Sequence, residues 1–182
     1  FHFHEPSEHL ENAKPAAMEL HLVFADASNN VLVVGRLVNE GSFNSALGPI
    51  FSDLPQNTST THTVDHFNLN SLLPDNLESF RYTGSLTTPP FTEGVKWVNL
   101  YQPIEMSKEQ IQAFGGLFPE GNAREVQPLN GRIILTDVPG FVSTSPVPEP
   151  ETYAMLLAGL GLIGFIASCR GRQSTEVGNL RV

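Results

Sequence analysis

The sequence predicts a mainly β domain with few short helices, followed by a linker and a C-terminal apolar helix. Three observations predict it. Strand-period alternation opens the chain at residues 1–4 and recurs at 18–23. Two further runs, Val31-Leu-Val-Val-Gly-Arg-Leu-Val38 and Gly94-Val-Lys-Trp-Val-Asn-Leu-Tyr101, have strand length. Against these stands one clear helix start, Ser107 with Gln110 three residues on.

Length and composition agree. A chain of 182 residues suits one domain with an appendage, and 40% hydrophobic with 16% charged residues is a globular composition. A formal charge of −9 with no basic stripe disfavours nucleic acid as a partner, so none is expected, and is compatible with a small neutral substrate.

In the first run, His2 and His4 share one face of a strand and Phe1 and Phe3 the other. In the second, Glu19, His21 and Val23 face one side and Leu20 and Leu22 the other, and the Pro and Asn residues between the runs let the chain reverse. His21 then closes a triangle with His2 and His4. Three neutral imidazoles with an open position form the ligand set of a catalytic zinc site. No thiolate lies near, and three nitrogens are too many for calcium or magnesium. Ligand type alone leaves cobalt, iron and copper open. Glu19, on the face of His21, is placed to orient a ligand imidazole.

Residues 27–30 read as a turn, and 31–38 as a buried strand. Residues 41–63, rich in Ser, Asn, Thr and Pro, read as surface loop with one short helical turn within 46–54. Asn57-Thr-Ser59 matches a glycosylation sequon by chance, and His62 and His66 read as surface residues. The strand at 94–101 is ended or edged by Pro103. Ser107 and Gln110 form a capping box, Ile111 and Phe114 give the helix an apolar face, and Gly115 stops it. A short strand at 133–135 is the last, and the domain ends near Asp137.

Several of these segments together resemble the α-type carbonic anhydrases. The resemblance is carried by Phe-His-Phe-His at 1–4, Ser7-Glu8-His9, Glu19-Leu-His-Leu-Val23, Gly84-Ser-Leu-Thr-Thr-Pro-Pro90 and the spacing to Trp97. Residues 67–74, Tyr82, Asn122-Ala-Arg124 and residues 127–132 also match family segments. The resemblance implies a large, twisted, mostly antiparallel sheet, here incomplete, and a zinc ion held by His2, His4 and His21. It implies that Thr87 accepts the proton of a zinc-bound hydroxide and passes its own to Glu8. A hydroxyl has one donor, so a carboxylate that takes it leaves only acceptor lone pairs facing the metal. The resemblance further implies that Val23, Val33, Leu86 and Trp97 line an apolar carbon dioxide pocket, with Thr88 at its mouth. Read without it, the four apolar residues are core, Thr87 is a loop residue and Glu8 is exposed. Phe91 stands where some secreted relatives carry a disulfide cysteine.

The chain begins on Phe, inside what should be a central strand. A truncation is expected, with further strands, a ligand-orienting glutamine, a proton-shuttle histidine and any signal peptide lying upstream. The complete gene product is expected to be active, and this fragment weakly so or not at all.

Residues 138–150 form a Pro/Ser/Thr-rich linker, and 151–182 hold an apolar run closed by Arg170-Gly-Arg172. The run comes near the lower limit for a bilayer span, which needs about 20 residues. Its basic flank fits a cytoplasmic end. Pro148-Glu-Pro150, the apolar helix and the arginines resemble the PEP-CTERM sorting signal of Gram-negative bacteria. That resemblance implies export, an exosortase-type processing partner and membrane association through the helix before processing. The sole cysteine, Cys169, lies in the tail, which leaves the domain ahead of it free of thiols.

The expected function is zinc-dependent hydration of carbon dioxide to bicarbonate. A non-catalytic matrix protein of the same fold is the main alternative. Such proteins usually lose a ligand histidine, and all three stand here. A metal-dependent oxygenase would want a carboxylate among the ligands.

Overall fold

The computed structural model describes residues 1–141 and, beyond them, Leu160 alone. Residues 1–141 form one compact unit. Most of the predicted linker and the apolar helix lie outside the described residues. Among the described residues no helix is long and apolar enough to cross a membrane.

Among the described residues there are eight strands: β1 (His2–His4), β2 (Leu10–Glu11), β3 (Lys14–Pro15), β4 (Met18–Ala25), β5 (Val31–Glu40), β6 (Ser79–Ser85), β7 (Glu93–Met106) and β8 (Leu135–Thr136). Six form a mixed, mostly antiparallel sheet in the order β1-β4-β5-β7-β6-β8, in which β5 and β7 run parallel. The chain reverses between β1 and β4 through the β2–β3 hairpin, whose two turn residues, Asn12 and Ala13, both have positive φ.

The period of two in β4 separates the sheet's faces. Met18, Leu20 and Leu22 enter one apolar core with Phe3, Val38, Ile104 and Met106. That core is covered by Phe51 of α1 (Gly48–Phe51), by Leu72 at the end of a 3₁₀ turn, and by Ile111 and Phe114 of α2 (Lys108–Gly115). Burying each such side chain contributes about 1.5–3 kcal/mol. The capping box of α2 forms as predicted: Ser107 Oγ accepts from the Gln110 N–H at 3.3 Å, and Gln110 Oε1 accepts from the Ser107 N–H at 3.1 Å.

β7 runs well past the end predicted for it. Its pairing with β5 jumps from Arg36–Leu100 to Val38–Ile104, which is an irregularity of the bulge kind. Pro103 sits inside it, where no ladder N–H is required. The same irregularity explains a charge in an apolar strand. Arg36 is buried, and it donates to the carbonyls of Gln102 (2.9 Å), Pro103 (3.1 Å) and Leu72 (2.6 Å).

The last strand is displaced from the predicted 133–135. Leu135 and Thr136 pair with Arg81 and Phe80, and Ile133 is exposed. Asp137 fixes this register by accepting from the Ser79 N–H at 2.7 Å and pairing with Arg81. His62 and His66 are exposed and lie on no helix.

Candidate metal centre

The opposite face of the sheet carries the polar residues. His2 lies directly across from His21, and His4 across from Glu19. The three imidazole centroids are 4.9, 5.2 and 4.7 Å apart, and one ligand nitrogen from each lies within 4.8 Å of the others. His4 and His21 are buried, and His2 is the exposed member. Partial burial of its ring, although the residue as a whole is the most exposed of the three, and then the neighbouring imidazoles of His21 and His4 push His2 down from 6.5 to about 4. Burial also lowers His4, against an opposing pull from Glu8. Neutral imidazoles are what a metal requires.

Hydrogen bonds decide which nitrogens remain free. His4 Nδ1 donates to the Asn122 carbonyl at 3.1 Å, which leaves a buried Nε2 without a partner. His21 Nε2 donates to Glu19 Oε1 at 2.9 Å, so Nδ1 carries the lone pair. Glu8 Oε2 is 3.9 Å from that Nδ1, beyond hydrogen-bond range.

Glu19 is the hub beneath this triad. Oε1 also accepts from His9 Nδ1 at 2.6 Å, and Oε2 accepts from the backbone N–H groups of Glu8 (2.9 Å) and His9 (2.8 Å). With Nδ1 donating, His9 Nε2 accepts from the Tyr82 hydroxyl at 2.7 Å. Burial alone would raise the Glu19 carboxyl, but hydrogen bonds from His21 and His9 outweigh it and hold the group well below the carboxylate range. Burial, and then the Glu19 charge, raise Tyr82 and keep its donor in place. His9, Glu19 and His21 form a second cluster of possible ligands. There, however, both carboxylate oxygens are already saturated with donors, whereas the first cluster offers free lone pairs.

Gly35 makes room for this hub. It stands across from His21, and a Cβ there would fall 2.3 Å from Asn99 Oδ1 and 3.2 Å from Glu19 Oε1.

A segment remote in sequence closes the site. Asn122 grips the end of β1: its Nδ2 donates to the Phe3 carbonyl (3.0 Å), its Oδ1 accepts from the Glu5 N–H (2.8 Å), and its N–H donates to the Glu5 carbonyl (2.9 Å). Two residues on, the Arg124 N–H donates to Glu8 Oε1 at 2.7 Å. Glu8 is therefore buried, not solvent-exposed as its residue type alone suggests, and its Oε2 has no hydrogen-bond partner.

Thr87 is half-buried and makes no hydrogen bond to Glu8, and Thr88 is exposed. Val33 and Trp97 pair across β5 and β7 and are buried together, with Leu86 packed against them. Val23 pairs with Val33 but is 44% exposed, so it stands on the open side of the wall. Trp97 packs edge-on against His21 at 4.9 Å. A cleft of about 550 Å³ lies elsewhere, lined by Glu5, Gly115, Phe118 and Gly121 among others, and contains none of the three histidines. The donor chemistry, not the depth of a cleft, marks the site.

Sequence gives His9 no role beyond its place in the Ser-Glu-His motif. Asn122 and Arg124 lie in a segment whose polar groups the resemblance expects to tie loops together, without naming their partners.

The donor set fits zinc. A buried His4 nitrogen with no partner, beside His2 and a His21 whose other nitrogen is already bonded to Glu19, is the arrangement of a nitrogen-ligated divalent ion. Comparison with known proteins agrees. The family model for eukaryotic-type carbonic anhydrase matches residues 1–138, and the PEP-CTERM protein-sorting motif matches 146–173. A carbonic anhydrase from Nostoc sp. is 43% identical over 137 residues, covering 74% of this chain and 52% of its own length. One from Klebsiella pneumoniae is 40% identical, covering 74% and 55%. The solved complex of α-carbonic anhydrase from Thermovibrio ammonificans with sulfanilamide superposes with a TM-score of 0.70 at 40% identity, over 73% of this chain and 59% of that one. The chain spans about half the length of the curated relatives it matches. Over residues 1–138 it belongs to the eukaryotic-type, or α, carbonic anhydrase family.

Proposed function

We propose that this domain catalyses the zinc-dependent, reversible hydration of carbon dioxide to bicarbonate and a proton. The observation that carries the reading is His4 Nε2, buried and unpartnered among three imidazoles. His2, His4 and His21 would hold the ion. When bound, zinc supplies the Lewis acidity that makes a water nucleophilic near neutral pH. Glu19 and the Asn122 carbonyl fix the tautomers of His21 and His4, so that the free lone pairs point away from the supporting bonds. The unpartnered Oε2 of Glu8 is the acceptor available to the Thr87 hydroxyl, which would donate its one hydrogen bond there in the working site. Thr87 is then left with acceptor lone pairs only, and it selects a group that carries a proton. Val23, Val33, Leu86 and Trp97 hold an uncharged substrate by shape, with Thr88 at the mouth.

The PEP-CTERM match supports export, with the tail 151–182 holding the protein at the membrane until an exosortase-type enzyme processes it. The exported form acts in the periplasm, at the outer surface or in the matrix.

The test combines zinc titration with oxygen isotope exchange between carbon dioxide and water, which detects slow turnover. One zinc per chain is expected, with exchange above the uncatalysed rate that a chelator abolishes and sulfanilamide inhibits. A chain that takes zinc but shows neither exchange nor sulfanilamide binding would overturn the reading. An oxygenase or other metal enzyme would be indifferent to the sulfonamide.

A further inference from the structure

We propose that Arg124 is a positioning residue that joins Glu8 to the loop carrying Thr87 and so fixes the separation of the two. The proposal deepens the reading above and rests on it. Its backbone and its side chain do different jobs. The N–H donates to Glu8 Oε1 at 2.7 Å and holds the carboxylate. The guanidinium reaches the other way: Nη1 donates to Ser85 Oγ at 3.1 Å and to the Leu86 carbonyl at 3.3 Å, and Cζ stands 4.2 Å from the centre of the Phe91 ring.

These contacts bracket Thr87. The loop closes on itself, with Leu86 N–H to the Thr92 carbonyl and Phe91 N–H to the Thr88 carbonyl, both at 2.9 Å. Self-closure gives it a shape but does not tie it to Glu8. Trp97 Nε1 anchors only its start, at the Ser85 carbonyl. Arg124 touches the loop before Thr87 and again after it, at Phe91, from the same residue that grips Glu8. A planar fork that hydrogen-bonds in its plane and stacks on an aromatic face does both at once, which an ammonium does not.

The test uses the full chain and the variants Arg124→Lys and Phe91→Leu. Hydrogen exchange is read at the loop amides of Leu86 and Phe91 and, as an internal control, along Met18–Ala25. Arg124→Lys keeps the charge and the backbone N–H, so it is expected to speed loop exchange about ten-fold while leaving β4 protected. The zinc-loaded variant should lose about ten-fold in kcat for carbon dioxide, with KM and zinc content unchanged, because a small misplacement of reacting groups is costly. Phe91→Leu should show the same pattern more weakly. Wild-type loop exchange in Arg124→Lys overturns the proposal, as does a general loss of β4 protection with normal Phe91→Leu exchange. A wild-type chain that takes zinc but shows neither turnover nor sulfanilamide binding defeats the carbonic anhydrase reading instead, and the exchange data alone then decide the clamp.

Discussion

The two faces of the sheet are built by the same strands under opposite rules. On one, Met18, Leu20 and Leu22 pack against aromatic and aliphatic side chains from both helices, and what matters is volume. On the other, Glu19 and His21 from the same strand are just as buried, and what matters is that each polar atom has its partner. The exceptions on that polar face include His4 Nε2 and Glu8 Oε2, and both stand at the metal triad. Glu19, with donors on both oxygens, shows the contrast a few ångströms away.

Substitutions should separate the faces. The largest effect belongs to the apolar side: Leu20→Ala should cost about 2–5 kcal/mol in denaturant unfolding of the metal-free chain. Its surviving folded fraction should still bind zinc in a calorimetric titration. His21→Ala should do the reverse, weakening zinc by more than about 100-fold, since even residues behind a ligand are worth 10–100-fold. Glu19→Gln comes next, with zinc affinity lowered by about 10–100-fold in the same titration. It exchanges an acceptor shared by two imidazoles and two N–H groups for an amide that cannot serve them all.

The smallest effect is a pH dependence. His2 titrates near 4 in the folded chain against an ordinary 6.5. Between those values the unfolded chain binds more protons, so stability of the metal-free protein should fall as pH drops from about 6.5 towards 4. The Glu19 carboxyl, held low, adds a loss in the same direction at lower pH. Melting curves of metal-free His2→Ala should lose the first part of this slope. An unchanged profile in that variant would remove the electrostatic side of the comparison.

Much of this was legible in the residues, and the part that was not has a common cause. Period-two alternation placed His2, His4, Glu19 and His21 on one face, because strand geometry is local. The capping box of α2 was readable for the same reason. Pro103 misled because a β-bulge relieves it of a ladder bond, and the carbonyls freed there are met by Arg36, which is 67 positions from Pro103. Glu8 reads as exposed until Arg124 arrives from 116 residues on, and His9 finds Tyr82 across 73. Long-range partners of polar groups leave no periodic trace.

The central claim is that His2, His4 and His21, and not the neighbouring His9–Glu19–His21 cluster, hold the ion. Anomalous diffraction at the zinc edge from zinc-soaked crystals tests it most directly. One peak is predicted among the imidazoles, bound by His4 through Nε2 and by His21 through Nδ1. A peak ligated by Glu19, or none near the triad in an ordered sheet, would contradict it.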